Sequence, residues 1–442
     1  MLDLGPIVAT TPQRSNDGVP KPRCVRWAGV TRARWDNLMS RSKRVCGYLC
    51  VLAGALMAGA MPTGALASVG TFNIYGFAMA DYIYDIKRVD PAWDDTLRPS
   101  KIPTVDGLFG SDGQSTFSAK QSRLGVKGDI PVGGGFDDIT FKFEFDLFGV
   151  GVDAGQTTIR LRHAYGEWGQ FLAGQTNSVF MDGDIFPNVV DYWGPTGMVF
   201  LRNPQFRWTP IKDDHNSFAI AIEKPSNDID VGTIREFDPE LGNNLENDQK
   251  YPDLTAHYNY QDNWGHVQLA AILRNVAYDT VNTHNNEPKG SELGWGVDLT
   301  GHVNVLERDK VLLGVVYGEG IASYMNDGGV DLAPQGAFPN NVHAQAVPLL
   351  GVSAYYDHYW SSRWSTSLGY SITKVDNANL QDANAFRSGE YASVNLLYTP
   401  VKNFMVGGEF LWGQRSDNGP ASGDDLRFQL SAKYDFGASI SL

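Results

Sequence analysis

Apolar and polar residues alternate with a period of two through most of the chain after residue 70. Ile139, Phe141, Phe143, Phe145 and Leu147 alternate with Thr140, Lys142, Glu144 and Asp146. Leu254, Ala256, Tyr258 and Tyr260 alternate with Thr255, His257 and Asn259. The same rhythm runs through Val267–Leu273, Ala392–Tyr398 and Phe404–Trp412. Successive side chains of a strand point to opposite faces, so each run predicts a strand with one apolar and one polar face. Each is about ten residues long, enough for a tilted strand to cross a bilayer. A β-sandwich shows the same alternation, so the period alone does not choose between the two.

The connections choose. The pattern places sixteen strands near 71–85, 116–130, 138–148, 157–167, 170–177, 205–210, 216–224, 253–261, 264–279, 293–305, 311–324, 347–358, 364–375, 389–398, 404–414 and 425–436. The links between them alternate long and short. Residues 86–115, 149–156, 178–204, 225–252, 280–292, 325–346, 376–388 and 415–424 are long links; Gln261–Trp264, Leu306–Lys310 and Thr399–Asn403 are short ones. Long loops at one end and tight turns at the other is the outer-membrane barrel arrangement. A closed sheet also leaves no backbone edge unpaired in hydrocarbon. The expected fold is therefore all-β: a transmembrane antiparallel β-barrel of about sixteen strands. Tyr258, Trp264, Tyr356, Trp360, Trp364, Tyr398, Trp412 and Tyr434 are candidates for the interfacial aromatic belts. The last alternating run, Phe428 to Phe436, resembles the C-terminal assembly signal of outer-membrane proteins, although Gly437–Leu442 follow it.

The N-terminus predicts export. Arg41, Lys43 and Arg44 precede an apolar run from Val45 to Met61, and Ala65-Leu66-Ala67 fits a small-residue cleavage site. The expected organisation is residues 1–38 as an upstream extension (a misassigned start, since Met39 would begin an ordinary signal), 39–67 as the signal peptide, and 68–442 as the barrel. All three cysteines, Cys24, Cys46 and Cys50, precede the cleavage point, so the mature part has no disulfide, thiolate nucleophile or Cys-ligated metal. The whole chain carries a net charge of −14; removing nine Lys/Arg and three Asp/Glu with residues 1–67 leaves 27 bases and 47 acids, a net −20. That balance argues against nucleic-acid binding. It does not set pore selectivity, because loop acids and lumen bases are summed together.

The link 178–204 is unlike the others. It holds Phe180, Ile185, Phe186, Trp193, Val199 and Phe200, whereas ordinary loops are polar and run over the surface. It is expected to fold inward as a constriction loop; packing on a neighbouring subunit is the alternative. Arg123, Lys127, Lys142, Arg160, Arg162 and Arg207 fall on polar phases of nearby strands. They predict a basic wall, opposed by Asp182, Asp184 and Asp191 on the loop, which also carries Arg202. A transverse field of that kind favours and orients anionic or dipolar solutes. No cofactor or metal site is expected. His257 and His266 are read as satisfied lumen histidines, and Asn227, Asp228, Asp230 and Gly232 as a solvated acidic loop.

Several stretches carry a family likeness: Gln121-Ser122-Arg123-Leu124-Gly125, Arg160 to Gly166, Gly174-Gln175, and above all Phe186-Pro187-Asn188 followed by Trp193-Gly194-Pro195-Thr196-Gly197-Met198-Val199-Phe200, Arg202 and Pro204-Gln205. Together they resemble the DcaP-type trimeric porins, specifically over about 117–210 and by pattern to 436. The resemblance implies a sixteen-stranded homotrimer that takes up dicarboxylates and related small anions. It also implies that Arg123, Arg160 and Arg162 lie near the constriction and Met181 to Arg202 in the loop. Some members carry a helical extension before the barrel; only Ser68 to Gly70 precede the first strand here, so trimerisation is expected to rest on the barrel wall.

The resulting expectation is an outer-membrane porin, not an enzyme. Its partners would be outer-membrane lipid and lipopolysaccharide, small anionic solutes and further copies of itself. The rivals are a non-selective general pore, an outer-membrane barrel hydrolase and a soluble sandwich. Gly-x-Ser-x-Gly, phosphate-loop and His-Glu-x-x-His motifs are absent from the sequence, which disfavours the hydrolase.

Overall fold

A computed structural model describes residues 70–149, 158–337 and 341–441. The proposed extension 1–38 and signal peptide 39–67 lie outside them. The unit that includes these residues, Ala67–Leu442, is built on one large antiparallel sheet.

The sheet has sixteen staves. They are β1 (Thr71–Asp85), β2 (Gln114–Ser118, resumed at Arg123–Ile130), β3 (Ile139–Gly149), β4 (Thr158–Trp168), β5 (Phe171–Asn177), β6 (Arg202–Lys212), β7 (Asn216–Glu223) and β8 (Leu245–Asp248, resumed at Asp253–Asp262). They continue as β9 (Gly265–Thr280), β10 (Gly290–Val305), β11 (Asp309–Glu319), β12 (Pro348–His358), β13 (Trp364–Val375), β14 (Phe386–Val401), β15 (Phe404–Asp417) and β16 (Ser422–Ser441). Each pairs with the next, and β16 pairs back onto β1 from Thr71↔Ser441 to Asp85↔Arg427, closing the barrel. The final residues therefore prolong the last stave past Phe436, with Gly437 opposite Tyr75.

The alternation read from the sequence is the inside–outside alternation of this wall. On β10, Val297 and Leu299 are 41% and 52% exposed, while Asp298 and Thr300 are each 3% exposed. The apolar phase faces outward to lipid and the polar phase inward, as a membrane barrel requires. Trp264, Trp360, Trp364 and Tyr434 are exposed at the short-turn end, and Trp364 stacks on Tyr398 at 4.3 Å.

Two staves are interrupted. Both pieces of β2 pair with β1, at Asp81–Asp85 and at Thr71–Phe77. In the gap, Gln121 reaches inward and its Nε2 donates to Asp81 at 3.0 Å and to the Val190 carbonyl at 2.9 Å. The run 311–324 ends as a strand at Glu319, and Ala322–Tyr324 is a single 3-10 turn that dips into the lumen. Arg202, placed by the sequence in the constriction loop, instead opens β6, paired with Asn177. The ladder between β5 and β6 is available to it, so its backbone bonds are made there.

The link between β5 and β6 does fold inward. Phe180, Met181 and Val199 are buried with Ile272 of β9, Val316 of β11, Leu349 of β12 and Val375 of β13. The link after β11 folds in beside it. Phe200 N–H donates to the Tyr324 carbonyl at 2.9 Å, and Asn326 N–H to the Met198 carbonyl at 2.8 Å. The link after β1 joins both: the Arg98 guanidinium lies between the Trp93 and Trp193 rings at 4.2 and 4.1 Å and pairs with Asp327 at 2.9 Å. Buried backbone groups need partners, and lumen-phase side chains supply them. Glu409 of β15 accepts from Val190 N–H at 2.7 Å and Asp191 N–H at 2.9 Å. Gly197 sits at φ +70°, and a Cβ there would lie 2.3 Å from the Ile372 carbonyl; glycine is what lets the loop lie flat on the wall.

Candidate functional site

The pore chemistry is concentrated on the lumen face of β2 to β4. The register between β3 and β4 shifts twice, once between Asp146 and Gly149 and once where Glu144 faces His163 but Phe145 faces Leu161, leaving Arg162 as the extra residue of a bulge. A bulge re-aims side chains. Here it turns both Arg162 and His163 inward and buries them, which strict alternation forbids.

Arg160 of β4 binds Asp146 of β3 with two parallel bonds, Nε at 3.1 Å and Nη2 at 2.7 Å. Arg162 bridges two acids: its Nε donates to Glu144 at 2.7 Å and its Nη1 to Asp146 at 2.9 Å. The same Nη1 donates to the Tyr192 hydroxyl at 2.9 Å, and that hydroxyl donates to Asp146 at 3.0 Å. Tyr192 belongs to the inward loop, so the wall and the loop share one polar network. Glu144 also accepts from the Tyr75 hydroxyl at 2.7 Å and lies 3.6 Å from Arg123 and 3.4 Å from Lys142. Arg202 lies over the Phe200 ring at 4.6 Å, in the field of Arg160, Arg162 and Arg123. Among the described residues it has no carboxylate partner.

Five cations thus surround two carboxylates, a local excess of three positive charges. Arg162 is almost fully buried, whereas the side chains of Arg160, Arg123 and Lys142 are 29%, 26% and 25% exposed to the lumen. Arg162 is a strut; the other three present charge to the lumen. Lys127 lies at the edge of the cluster, its ammonium 5.7 Å from the Tyr75 ring. Arg207 stands apart, donating to Gln205 at 2.9 Å and to the Asn177 carbonyl at 2.6 Å.

The opposed acidic face is corrected. Asp182 is buried: it accepts from Thr300 at 2.7 Å and meets His266 Nε2 at 2.7 Å. Burial acts to raise its pKa, but the hydrogen bond and charge of His266, with Thr300 and the Asp184 N–H, hold it below the ordinary carboxylate value. Asp191 is also buried, accepting from Thr96 at 3.0 Å, Leu97 N–H at 3.1 Å and Gly194 N–H at 3.1 Å. Burial pushes its carboxyl up despite these donors. Both acids tie down loop backbone and face no solute. Asp184 alone of the three is exposed.

Glu144 and Asp146 were not chosen as site residues from the sequence, although they share the phase of Lys142 in the β3 alternation. Tyr75 and Tyr192 carried no signal of their own. His266 meets His302 Nδ1 at 2.7 Å, not His257, which bonds the Val179 carbonyl at 3.0 Å. The acidic loop is tied down by Arg235, 3.5 Å from Asp230, and by Arg274. Among the described residues no group of His, Cys, Asp or Glu is arranged to hold a metal ion.

The family model of the DcaP outer membrane protein matches residues 68–436. The crystal structure of the outer membrane channel DcaP of Acinetobacter baumannii superposes with a TM-score of 0.70 at 25% identity, covering 85% of this chain and 100% of that one. Salmonella typhi OmpF, solved with daunomycin, superposes at 0.51 with 12% identity, over 83% of this chain and 97% of that one, and shares the fold alone. A comparison with curated proteins returned no match. A closed sixteen-stave wall, an inward loop and a match across the whole barrel lead to one conclusion: the chain belongs to the DcaP outer membrane protein family, and it is an outer-membrane β-barrel porin.

Proposed function

We propose that this porin admits small hydrophilic anions, dicarboxylates among them, by passive diffusion. The observation that carries this reading is the excess of three positive charges where loop and wall meet. Low-dielectric walls concentrate such a field, and a narrow lumen makes every solute pass through it. Arg123 offers a planar donor fork that matches carboxylates, and Arg160 offers the donors that its pairing with Asp146 leaves unused. Arg123, Lys127, Lys142, Arg160, Arg162, Arg202 and Arg207 line this route, with Asp182, Asp184 and Asp191 fixing or flanking the loop. The functional form is a homotrimer in outer-membrane lipid and lipopolysaccharide, exported by the signal at 39–67. Trimeric assembly is supported by the porin fold; cross-linking in native membranes tests it.

A non-selective general pore is the second reading, favoured by the pairing of Arg160 and Arg162 with carboxylates. Competitive block of conductance across mono-, di- and tricarboxylates separates the two. Graded block rising with carboxylate number supports the anion reading; equal, weak block supports the general pore.

A further inference from the structure

The short turns carry a second basic feature, away from the cluster just described. Beneath the tip of the inward loop lies a polar cavity of about 400 Å³, lined by Asn188 of the loop and by Arg308, Ser361, Arg363, Thr399 and Lys433, among others. Arg308 is in the turn between β10 and β11, and Ser361 and Arg363 are in the turn between β12 and β13. Both are short turns, so the cavity opens at the periplasmic end. It lies inside the barrel: Thr399 and Lys433 share the phase of the buried Asn395 and Ser431. A solute that has passed the loop meets this cavity before leaving.

Its charge is unbalanced. Lys433 pairs with Asp435 at 3.2 Å. Arg308 is placed by its bond to the Ser361 carbonyl at 3.2 Å and by the Tyr359 ring 4.9 Å beneath it. Asp309, its neighbour in sequence, is engaged elsewhere, accepting from Tyr359 N–H at 3.0 Å and meeting His358 at 2.6 Å. Among the described residues neither Arg308 nor Arg363 has a carboxylate partner. Both guanidiniums keep unused donors in this polar recess, and Ser361, Ser365 and Asn188 add neutral polar groups around them.

We infer that this cavity is a separate exit site for a small multivalent oxyanion, of carboxylate or phosphate type, held by Arg308 and Arg363. Its occupant is a soluble solute, because the recess faces the lumen and not the lipid. The site captures anions on the periplasmic side and does not set the selectivity of the pore as a whole. It therefore stands or falls independently of the Arg160 and Arg162 cluster.

The test is single-channel block by citrate added to one side at a time. The mature chain has no cysteine, so Asp214→Cys in the short turn between β6 and β7 reports which side is which through a membrane-impermeant thiol reagent. In Arg308→Ala/Arg363→Ala, the association rate of citrate from the short-turn side falls about tenfold, as expected when steering charges are removed. From the long-loop side it changes less than twofold, and the reversal potential stays near that of the parent. Arg308→Lys/Arg363→Lys keeps the charge, controls for folding, and retains most of the association rate. Inorganic phosphate in place of citrate shows the same sidedness with weaker block. Unchanged block from both sides, or an equal fall from both, overturns the proposal.

Discussion

Arg274 of β9 is the residue on which the inward loops lean most heavily. Its side chain is 0% exposed and bridges Asp253 at 3.1 Å and Asp331 at 3.0 Å, both of them also 0% exposed. It also donates to the Gly320 carbonyl at 2.6 Å and to the Ser226 carbonyl. Asp331 in turn accepts from Asp228 N–H at 2.9 Å and Ser323 N–H at 3.1 Å. One guanidinium thus ties the links after β7 and β11 to the wall. Arg274→Ala leaves two buried carboxylates without their cation. Breaking a buried pair by removing one partner costs ~3–5 kcal/mol, so the docked-to-released equilibrium of these links shifts by roughly 10²- to 4 × 10³-fold. The barrel ladder is untouched, so the cost falls on the loops. Chymotrypsin cleavage after Tyr324, which is fully buried in the folded protein, reads the released state in intact membranes. Cleavage should accelerate roughly in proportion to that shift, while heat-modifiable gel mobility persists. Replacing the whole ion group, Arg274→Met with Asp253→Asn and Asp331→Asn, should restore much of the protection, because no charge is then left buried and unpaired. Equal cleavage of Arg274→Ala and the parent would refute the latch.

Three further outcomes follow from the loop itself. Phe180→Ala removes a fully buried ring from the loop–wall contact and should weaken docking by about 3 kcal/mol, seen as increased open-channel current noise. Gly197→Ala should give the same noise, because the added Cβ collides with the Ile372 carbonyl and the φ of +70° disfavours alanine. Asp182 has a lowered pKa in the folded protein, so folding favours its ionised form. Its contribution is complete above the ordinary carboxylate value of 3.8 and is lost as pH falls through the lowered one. Asp182→Asn should therefore weaken loop docking by ~1–3 kcal/mol near neutral pH. The difference from the parent should shrink as pH falls below the ordinary value of 3.8, where the carboxyl of the released loop takes up its proton; a pH-independent difference in noise contradicts this.

Much of the wall was legible in the sequence, because a barrel wall repeats one local rule. Side chains alternate between lipid and lumen, and links alternate between long and short. Phe180 and Trp193 gave away the inward loop, since rings have no reason to stand in water. What the alternation could not carry were its exceptions. The bulge at Arg162 and the break at Ala119–Ser122 are single-residue and four-residue departures that only cross-strand register exposes. The sense of the loop acids was lost for a related reason. Asp182 and Asp191 look solvated in sequence, but a loop packed inside a barrel needs acceptors for its own N–H groups, and these carboxylates serve it. Arg274 is only one more polar position on β9 in the alternation, because Asp331, which joins Asp253 of β8 in pairing with it, is brought there by the link after β11.

The central claim is that positive charge at the junction of loop and wall makes an acidic protein select anions. Three excess charges at about 6 Å attract a monovalent anion by ~2 kcal/mol in water, reduced by screening to ~1 kcal/mol at 0.1 M salt. That corresponds to roughly fivefold enrichment. The direct measurement is the reversal potential of the reconstituted porin in a potassium chloride gradient, with Arg160→Ala/Arg162→Ala alongside. The account predicts clear chloride preference in the parent and a shift toward cations in the double variant, where Glu144 and Asp146 lose their principal partners. Cation preference in the parent, or identical reversal potentials in the two proteins, would contradict it.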